Sequence, residues 1–149
     1  MSANSVTVSF DTGGLFAALD KMHAGLVAEV RPAAQAGAQV LYEEVKLRAP
    51  VGKAPHKSKS GRIIQPGALK ASIYQVFSQD NSSATRSTYH ISWNARKAPH
   101  GHLVEFGTRR APAHPFLRPA YEAEKERALQ AAKARYLSGA QQAIQGARA

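Results

Sequence analysis

Apolar positions along the chain follow two different periods, and the change between them marks the predicted elements. Val6, Val8 and Phe10 alternate with Thr7 and Ser9, the two-residue repeat of a short strand. Asp11 or Thr12 can cap the helix predicted next. Leu15, Leu19, Met22, Leu26 and Val30 then recur at spacings of four and three, which gives one helical face. Ala34, Ala38, Leu41 and Val45 continue that period to about Arg48, where Ala49-Pro50 stops it. Pro32 either kinks this long helix or opens a second one in its first turn. The apolar stripe predicts packing against a sheet.

The alternating period returns later. Residues 73–77 carry a strand pattern, and residues 79–86 form a polar turn region. In the cleanest strand of the chain, Tyr89, Ile91 and Trp93 point one way and Thr88, His90, Ser92 and Asn94 the other. The two strands are expected to pair as an antiparallel hairpin with one buried face. From Pro119, read as a first helical position, a last helix carries the thin seam Tyr121, Ala128, Ala132, Tyr136 and Ala140. It leans on a neighbour or frays beyond Gly139. Glu122, Glu124 and Glu126 lie near its start, and Glu122/Lys125 and Glu124/Arg127 are i,i+3 pairs.

Between the hairpin and that helix, residues 100–121 are dense in punctuation. Gly107, Pro112, Pro115 and Pro119 are threaded through Leu103, Val104, Phe106, Phe116 and Leu117. Residues of this kind fix backbone geometry rather than perform chemistry. The run predicts a rigid connector that holds the last helix against the sheet, anchored by Phe106, Gly107, Phe116, Leu117 and Pro119. Glu105 is expected to pair with Arg109 or Arg110 or with a neighbouring subunit, the charged trio facing outward as an assembly interface.

Composition narrows this picture. At 149 residues, 44% of them apolar, the chain suits a single domain over residues 1–149 with a real core. It has no cysteine, which excludes disulfides and thiolate sites. The segment MSANSVTVSF lacks the basic and apolar regions of a signal peptide, and no apolar run approaches the ~18 residues of a membrane span. A soluble chain made in the cytoplasm, with no membrane contact, is the expectation.

Charge adds one more feature. The net charge is +10, but residues 46–118 hold thirteen Lys/Arg against two acids, Asp80 and Glu105, a balance of +11, leaving −1 for the rest. A basic block of this kind faces an anionic partner, nucleic acid or an acidic protein surface, unless it is simply a soluble surface. Part of it lies in residues 51–68, where Lys53, Lys57, Lys59 and Arg62 are interleaved with Gly, Pro and Ser without periodicity. Residues 53–65 are expected to form a mobile basic loop that orders against a partner.

Little in the chain suggests a reaction. His100, His102 and His114 invite a metal, but no Cys or nearby Asp completes a zinc set, and Glu105 is the one acid at hand. Glu105 has no second carboxylate close in sequence for general acid–base work. Gly13-Gly14 and Gly67 form no phosphate loop. No cofactor, metal or catalytic residue is expected.

The order of signals resembles a known family. A long helix ends in Ala49-Pro50, and a Gly-X-Leu-X-X-Ser-Ile element follows at Gly67, Leu69, Ser72 and Ile73. After two strands come Val-Glu-Phe-Gly-Thr at 104–108 and Pro-Phe-Leu-Arg-Pro-Ala at 115–120, leading into a helix. Over roughly residues 15–135 this is similar to the neck and tail-completion proteins of long-tailed bacteriophages, the family named for gene product ten of a lambdoid coliphage. The chain departs from the family in the basic segment 53–65, which separates two elements that usually lie close together. The resemblance implies an α+β fold, a small twisted antiparallel sheet packed by the long N-terminal helix, with a C-terminal helix. It also implies a structural virion protein without catalysis, assembled in the host cytoplasm as a homo-oligomeric ring, a hexamer. The ring would sit at the head–tail junction or the top of the tail tube, stacked on head-closure or connector proteins and on tail terminator or tail-tube proteins, with genomic DNA passing through its lumen without sequence specificity. The competing reading is a basic nucleic-acid-binding module.

Overall fold

A helix cannot run through a proline without losing a bond. Pro32 has no N–H to donate to Ala28, and its ring would crowd that carbonyl. In the computed structural model, which describes residues 12–58 and 61–148, the first helix accordingly ends at Ala28. α1 spans Gly13–Ala28 and α2 spans Val30–Arg48, with Glu29 between them and Pro32 in the first turn of α2. Of the two expected roles for Pro32, the structure takes the second. Thr12 stands at the start of α1, though its hydroxyl makes no capping bond. The strand expected at residues 6–10, Asp11 and Lys59 lie outside the described residues.

The remaining elements come in order. β1 (His56–Lys57) pairs antiparallel with β2 (Ile63–Ile64), and α3 (Ala68–Ser72) leads directly into β3 (Ile73–Ser83). β4 (Arg86–Trp93), α4 (Gly101–Phe106) and α5 (Leu117–Arg148) complete the chain. The architecture is α+β: two small antiparallel sheets, a long helical N-terminal region and a C-terminal helix.

β3 and β4 form the expected hairpin. Trp93 stands opposite Ile73, Ile91 opposite Gln75 and Tyr89 opposite Phe77, all on one face. α2 packs on this face: the Arg31 guanidinium lies 4.2 Å from the centre of the Phe77 ring. The hairpin is longer than its apolar pattern. Residues 79–83 continue β3 instead of forming the turn, which tightens to Ala84 and Thr85. Four residues, 79–82, then oppose Ser87 alone, a wide irregularity between the Ser78–Thr88 and Ser83–Arg86 pairs. Short polar side chains satisfy the backbone there. Ser82 Oγ donates to the Ser78 carbonyl at 2.6 Å and accepts from Thr88 N at 2.9 Å, while Thr88 Oγ1 donates to the Asn81 carbonyl at 2.8 Å.

The core lies where the end of α2, the base of the hairpin and the start of α5 converge. Val45, Ala49, Leu69, Ile73, Ala98, Phe116 and Ala120 are buried together, with Ile91, Trp93 and Val104 packed against them. Trp93 meets Phe116 edge to face at 5.9 Å between ring centres. Its indole rests on Gly101, where any Cβ would collide with it.

Two packing expectations need correction. The apolar stripe of the N-terminal helices does not lie wholly on the sheet. α2 packs on the sheet, whereas α1 packs beside α5 and leaves Leu15, Phe16 and Leu19 exposed. Nor does α5 lie on the sheet beyond its first turn; it runs along α2 and α1 through small residues. A Cβ on Gly37 would stand 2.9 Å from the Ala128 carbonyl, and one on Gly25 would stand 2.7 Å from Ala143 Cβ. Such approach lets an alanine-rich helix gain dispersion contacts that its short side chains cannot reach at ordinary spacing. Ala128 and Ala140 of the expected seam are buried, Tyr121 is exposed, and the helix continues past Gly139 to Arg148.

The aperiodic basic segment has some regular structure among the described residues. It holds the β1–β2 hairpin, closed by Ser58 N donating to the Arg62 carbonyl at 2.8 Å and anchored by Ile64, which is buried.

Trp93 is half-buried rather than enclosed. Trp93→Ala is therefore expected to cost about 2–3 kcal/mol, below the range for a fully buried tryptophan. Chemical denaturation measures this; a variant of unchanged stability would mean that the indole does not hold the core face together.

Candidate assembly surface

The turn that enters α4 is fixed by one side chain. Asn94 Oδ1 accepts from Arg96 N at 2.9 Å and from Lys97 N at 3.2 Å, and Asn94 N donates to the Ser72 carbonyl at 2.9 Å. α4 then turns Gly101 and Glu105 inward and His102, Leu103 and Phe106 outward. It ends at Gly107, whose φ of 75° is left-handed, and a Cβ there would stand 2.8 Å from Ala113 N. The chain doubles back through a tight turn in which Thr108 N donates to the Ala111 carbonyl at 2.8 Å. Thr108 Oγ1 accepts from Arg110 N at 3.2 Å and Ala111 N at 3.0 Å. Arg109 and Arg110 occupy the tip of this turn, exposed and, among the described residues, without an ion pair.

Glu105 is not part of that charged tip. It is 7% exposed, and its carboxylate accepts from three backbone donors: Phe116 N at 2.8 Å, Leu117 N at 3.1 Å and Arg118 N at 3.2 Å. These are the unpaired N–H groups at the start of α5, where a negative charge also meets the positive end of the helix. Pro119 is the third residue of α5, not the first, and has no N–H to satisfy. The expected Glu105 pairing with Arg109 or Arg110 is thus replaced by an internal cap. Sequence spacing could not reveal it, because the carboxylate sits eleven residues before its nearest partner.

The apolar anchors divide as well. Phe116 is fully enclosed, while Leu117 and Pro119 are half-buried. Phe106, expected as an anchor, is 75% exposed. It stands at the mouth of a groove of about 460 Å³ lined by Leu41, Val45, Ile91, Leu117 and Tyr121.

The histidines do not converge as ligands. Among the described residues no group of three or more His, Asp or Glu is placed to hold a metal ion. His100 instead packs edge to face on His56 at 5.3 Å, joining α4 to the β1–β2 hairpin, and its Nδ1 is enclosed without a hydrogen-bond partner. Burial, and then the neighbouring His56, hold its pKa below the ordinary 6.5.

The connector thus combines a capped helix start, an exposed aromatic beside an apolar groove and a cationic turn unpaired among the described residues. Residues 15–107 match the family described as HK97-gp10_like, "Bacteriophage HK97-gp10, putative tail-component". The chain belongs to this family, and so to the neck and tail-completion proteins of tailed phages; it is a structural component of a phage tail. The match ends at Gly107, so the 115–120 element and α5 lie beyond it. No curated protein and no solved structure matches the chain. No helix among the described residues is long and apolar enough to cross a membrane.

Two outcomes test this geometry. Glu105→Ala strands three backbone donors at a buried helix start and should cost about 2–4 kcal/mol, with Glu105→Gln in between because it keeps one acceptor and loses the charge. Urea unfolding of the two variants would show equal, wild-type stability if the cap carried no weight. His100 gives a pH signature. Its folded pKa lies below its unfolded value, so its contribution to stability is complete above pH 6.5 and is lost as pH falls from there through the folded pKa. The melting temperature should drop more steeply as pH falls below about 6.5 in the wild type than in His100→Gln; parallel profiles would remove His100 as the cause.

Proposed function

We propose that this tail component forms a closed homo-oligomeric ring at the head–tail junction or at the top of the tail tube, with DNA passing through it. The observation that carries the reading is the pairing of exposed Phe106 with the unpaired tip Arg109-Arg110 on one rigid connector. A large aromatic left in solvent beside fixed charges marks a contact surface.

In a cyclic ring each subunit uses two different patches, one donating and one receiving. The donating patch is Phe106, Arg109 and Arg110. The receiving patch is the glutamate-rich second and third turns of α5, with Glu122, Glu124 and Glu126. Glu122 and Glu124 are held by Lys125 at 2.9 Å and Arg127 at 3.2 Å, while Glu126, whose charge also acts on Lys125, makes no ion pair among the described residues. Six subunits is the number that the family resemblance suggests. Head-closure or connector proteins on one side and tail terminator or tail-tube proteins on the other are the partners of the two ring faces, and assembly takes place in the host cytoplasm. A charged rim contributes more to orientation than to affinity, so the free subunit is monomeric until it meets a partner ring.

Arg109→Glu combined with Arg110→Glu should leave the monomer folded, since neither side chain supports the fold, but block tail attachment. Complementation of a phage lacking this gene reads the effect as a fall in titre of ~100-fold or more, the scale of a lost 2–3 kcal/mol contact repeated around a ring. Tailed, infectious particles at normal titre would refute the assignment of this patch.

A further inference from the structure

The cations of this chain are treated in two ways. On the helices four are neutralised in place: Arg48 by Glu44 at 2.6 Å, Lys125 by Glu122 at 2.9 Å, Arg127 by Glu124 at 3.2 Å and Arg135 by Glu29 at 2.6 Å. On the β1–β2 hairpin and the turn before α4 they are not. Lys53, Lys57, Arg62, Arg96 and Lys97 are all exposed, and none makes an ion pair among the described residues.

The fold brings Lys57, Arg62, Arg96 and Lys97 together, and Lys53 lies in the segment that leads into β1. Lys57 stands opposite Ile63 in the hairpin, beside Arg62, and its Cε lies 3.9 Å from where a Cβ on Gly61 would be. Arg62 Nη1 donates to the Arg96 carbonyl at 2.8 Å, tying the hairpin to a turn 34 residues away. Asn94 in turn fixes the Arg96 and Lys97 backbone. Among the described residues no carboxylate lies within ion-pair distance of these cations. Between Lys46 and Arg118 the chain has only Asp80 and Glu105. Asp80 lies in the bulged outer part of the β3–β4 hairpin, away from its base, and Glu105 is occupied by α5.

We infer that this face binds the phosphate backbone of duplex DNA, without regard to sequence. The inference rests on the ring reading for where the protein meets DNA. An acidic protein partner would demand more than charge, because such interfaces draw their affinity from buried apolar and aromatic anchors with charges at the rim. Here Ile64 is turned into the protein's own core and Ile63 alone stands exposed in the hairpin. A phosphate backbone requires only cations and N–H donors, and Arg62 keeps N–H donors beyond the one given to Arg96. The hairpin has two residues per strand, too short to lay a ribbon along a groove, so the contact carries no base readout. Repetition around a ring multiplies a weak single contact.

The experiment removes equal charge from two places. One variant carries Lys53→Gln, Lys57→Gln, Arg96→Gln and Lys97→Gln, four side chains that make no hydrogen bond or ion pair among the described residues. The control carries Lys21→Gln, Lys125→Gln, Arg127→Gln and Lys133→Gln. Binding to a fluorescent duplex of about three helical turns is followed by anisotropy between about 50 and 200 mM salt. The face variant should bind ~30-fold more weakly at low salt, with a log–log salt slope shallower by about 3 to 4; the control should lose no more than about fivefold. Equal losses in both would make the binding a matter of net charge alone and overturn the inference. Polyglutamate of matched charge serves as the second probe and should bind at least ~10-fold more weakly than the duplex. Polyglutamate binding as tight as the duplex and equally sensitive to the face variant would make the partner an acidic protein and overturn it too. The ring reading is judged separately, by tail attachment of the Arg109/Arg110 variant, so either can fail without the other.

Discussion

The arrangement of this protein depends on one carboxylate. A 32-residue helix opens with backbone donors that have no partner within the helix. Here the N–H groups of Phe116, Leu117 and Arg118 all go to Glu105, Pro119 has none to place, and Ala120 N returns to the Phe116 carbonyl at 3.3 Å. The start of α5 is therefore satisfied completely, with the innermost donor, that of Phe116, enclosed in the core. Because Glu105 is on α4, the same bonds fix α4 against α5 and close the intervening segment into a loop of one shape. Phe116 then meets Trp93, and the sheet, α4 and α5 share one core.

Closing that loop determines what is left outside. Turning Glu105 inward on a short helix turns Phe106, the next residue, outward. The Gly107 reversal carries Arg109 and Arg110 to a tip where, among the described residues, no acid pairs with them. Four cations of the helices behind are held by acids, while those of the connector and the basic hairpin make no ion pair among the described residues. A tail component needs both conditions: a body indifferent to its neighbours, and edges that are not.

Some of this could be read in the residues. Period-two alternation located the β3–β4 hairpin and its buried face, and Pro32 located the break in the N-terminal helices, because both are local steric effects. The i,i+3 pairs at the start of α5 are where spacing puts them. What escaped was nonlocal or polar. The cap depends on the turn between Glu105 and Phe116, and no spacing rule covers that. Phe106 looks like any core phenylalanine until the orientation of a six-residue helix, too short to show a period, is known. Residues 79–83 have turn composition, yet extend a strand because Ser82 and Thr88 supply the bonds that a bulge lacks. The placement of α5 on α2 comes from glycines and alanines, whose weak apolar signal conceals how closely they let two backbones approach.

The length of α5 has a mechanical consequence. At 1.5 Å per residue its 32 residues make a rod of about 48 Å, pivoted at the Glu105 cap. A tilt of about 5° at the pivot would swing the far end by about 4 Å, on the same 1.5 Å rise. There is no slack to absorb such a swing. Gly25 faces Ala143 with no room for a methyl group, and Glu29, seated over Gly139, grips Arg135 at 2.6 Å. The rod is thus held at both ends, and its direction is set jointly by three hydrogen bonds at one end and by these close contacts towards the other.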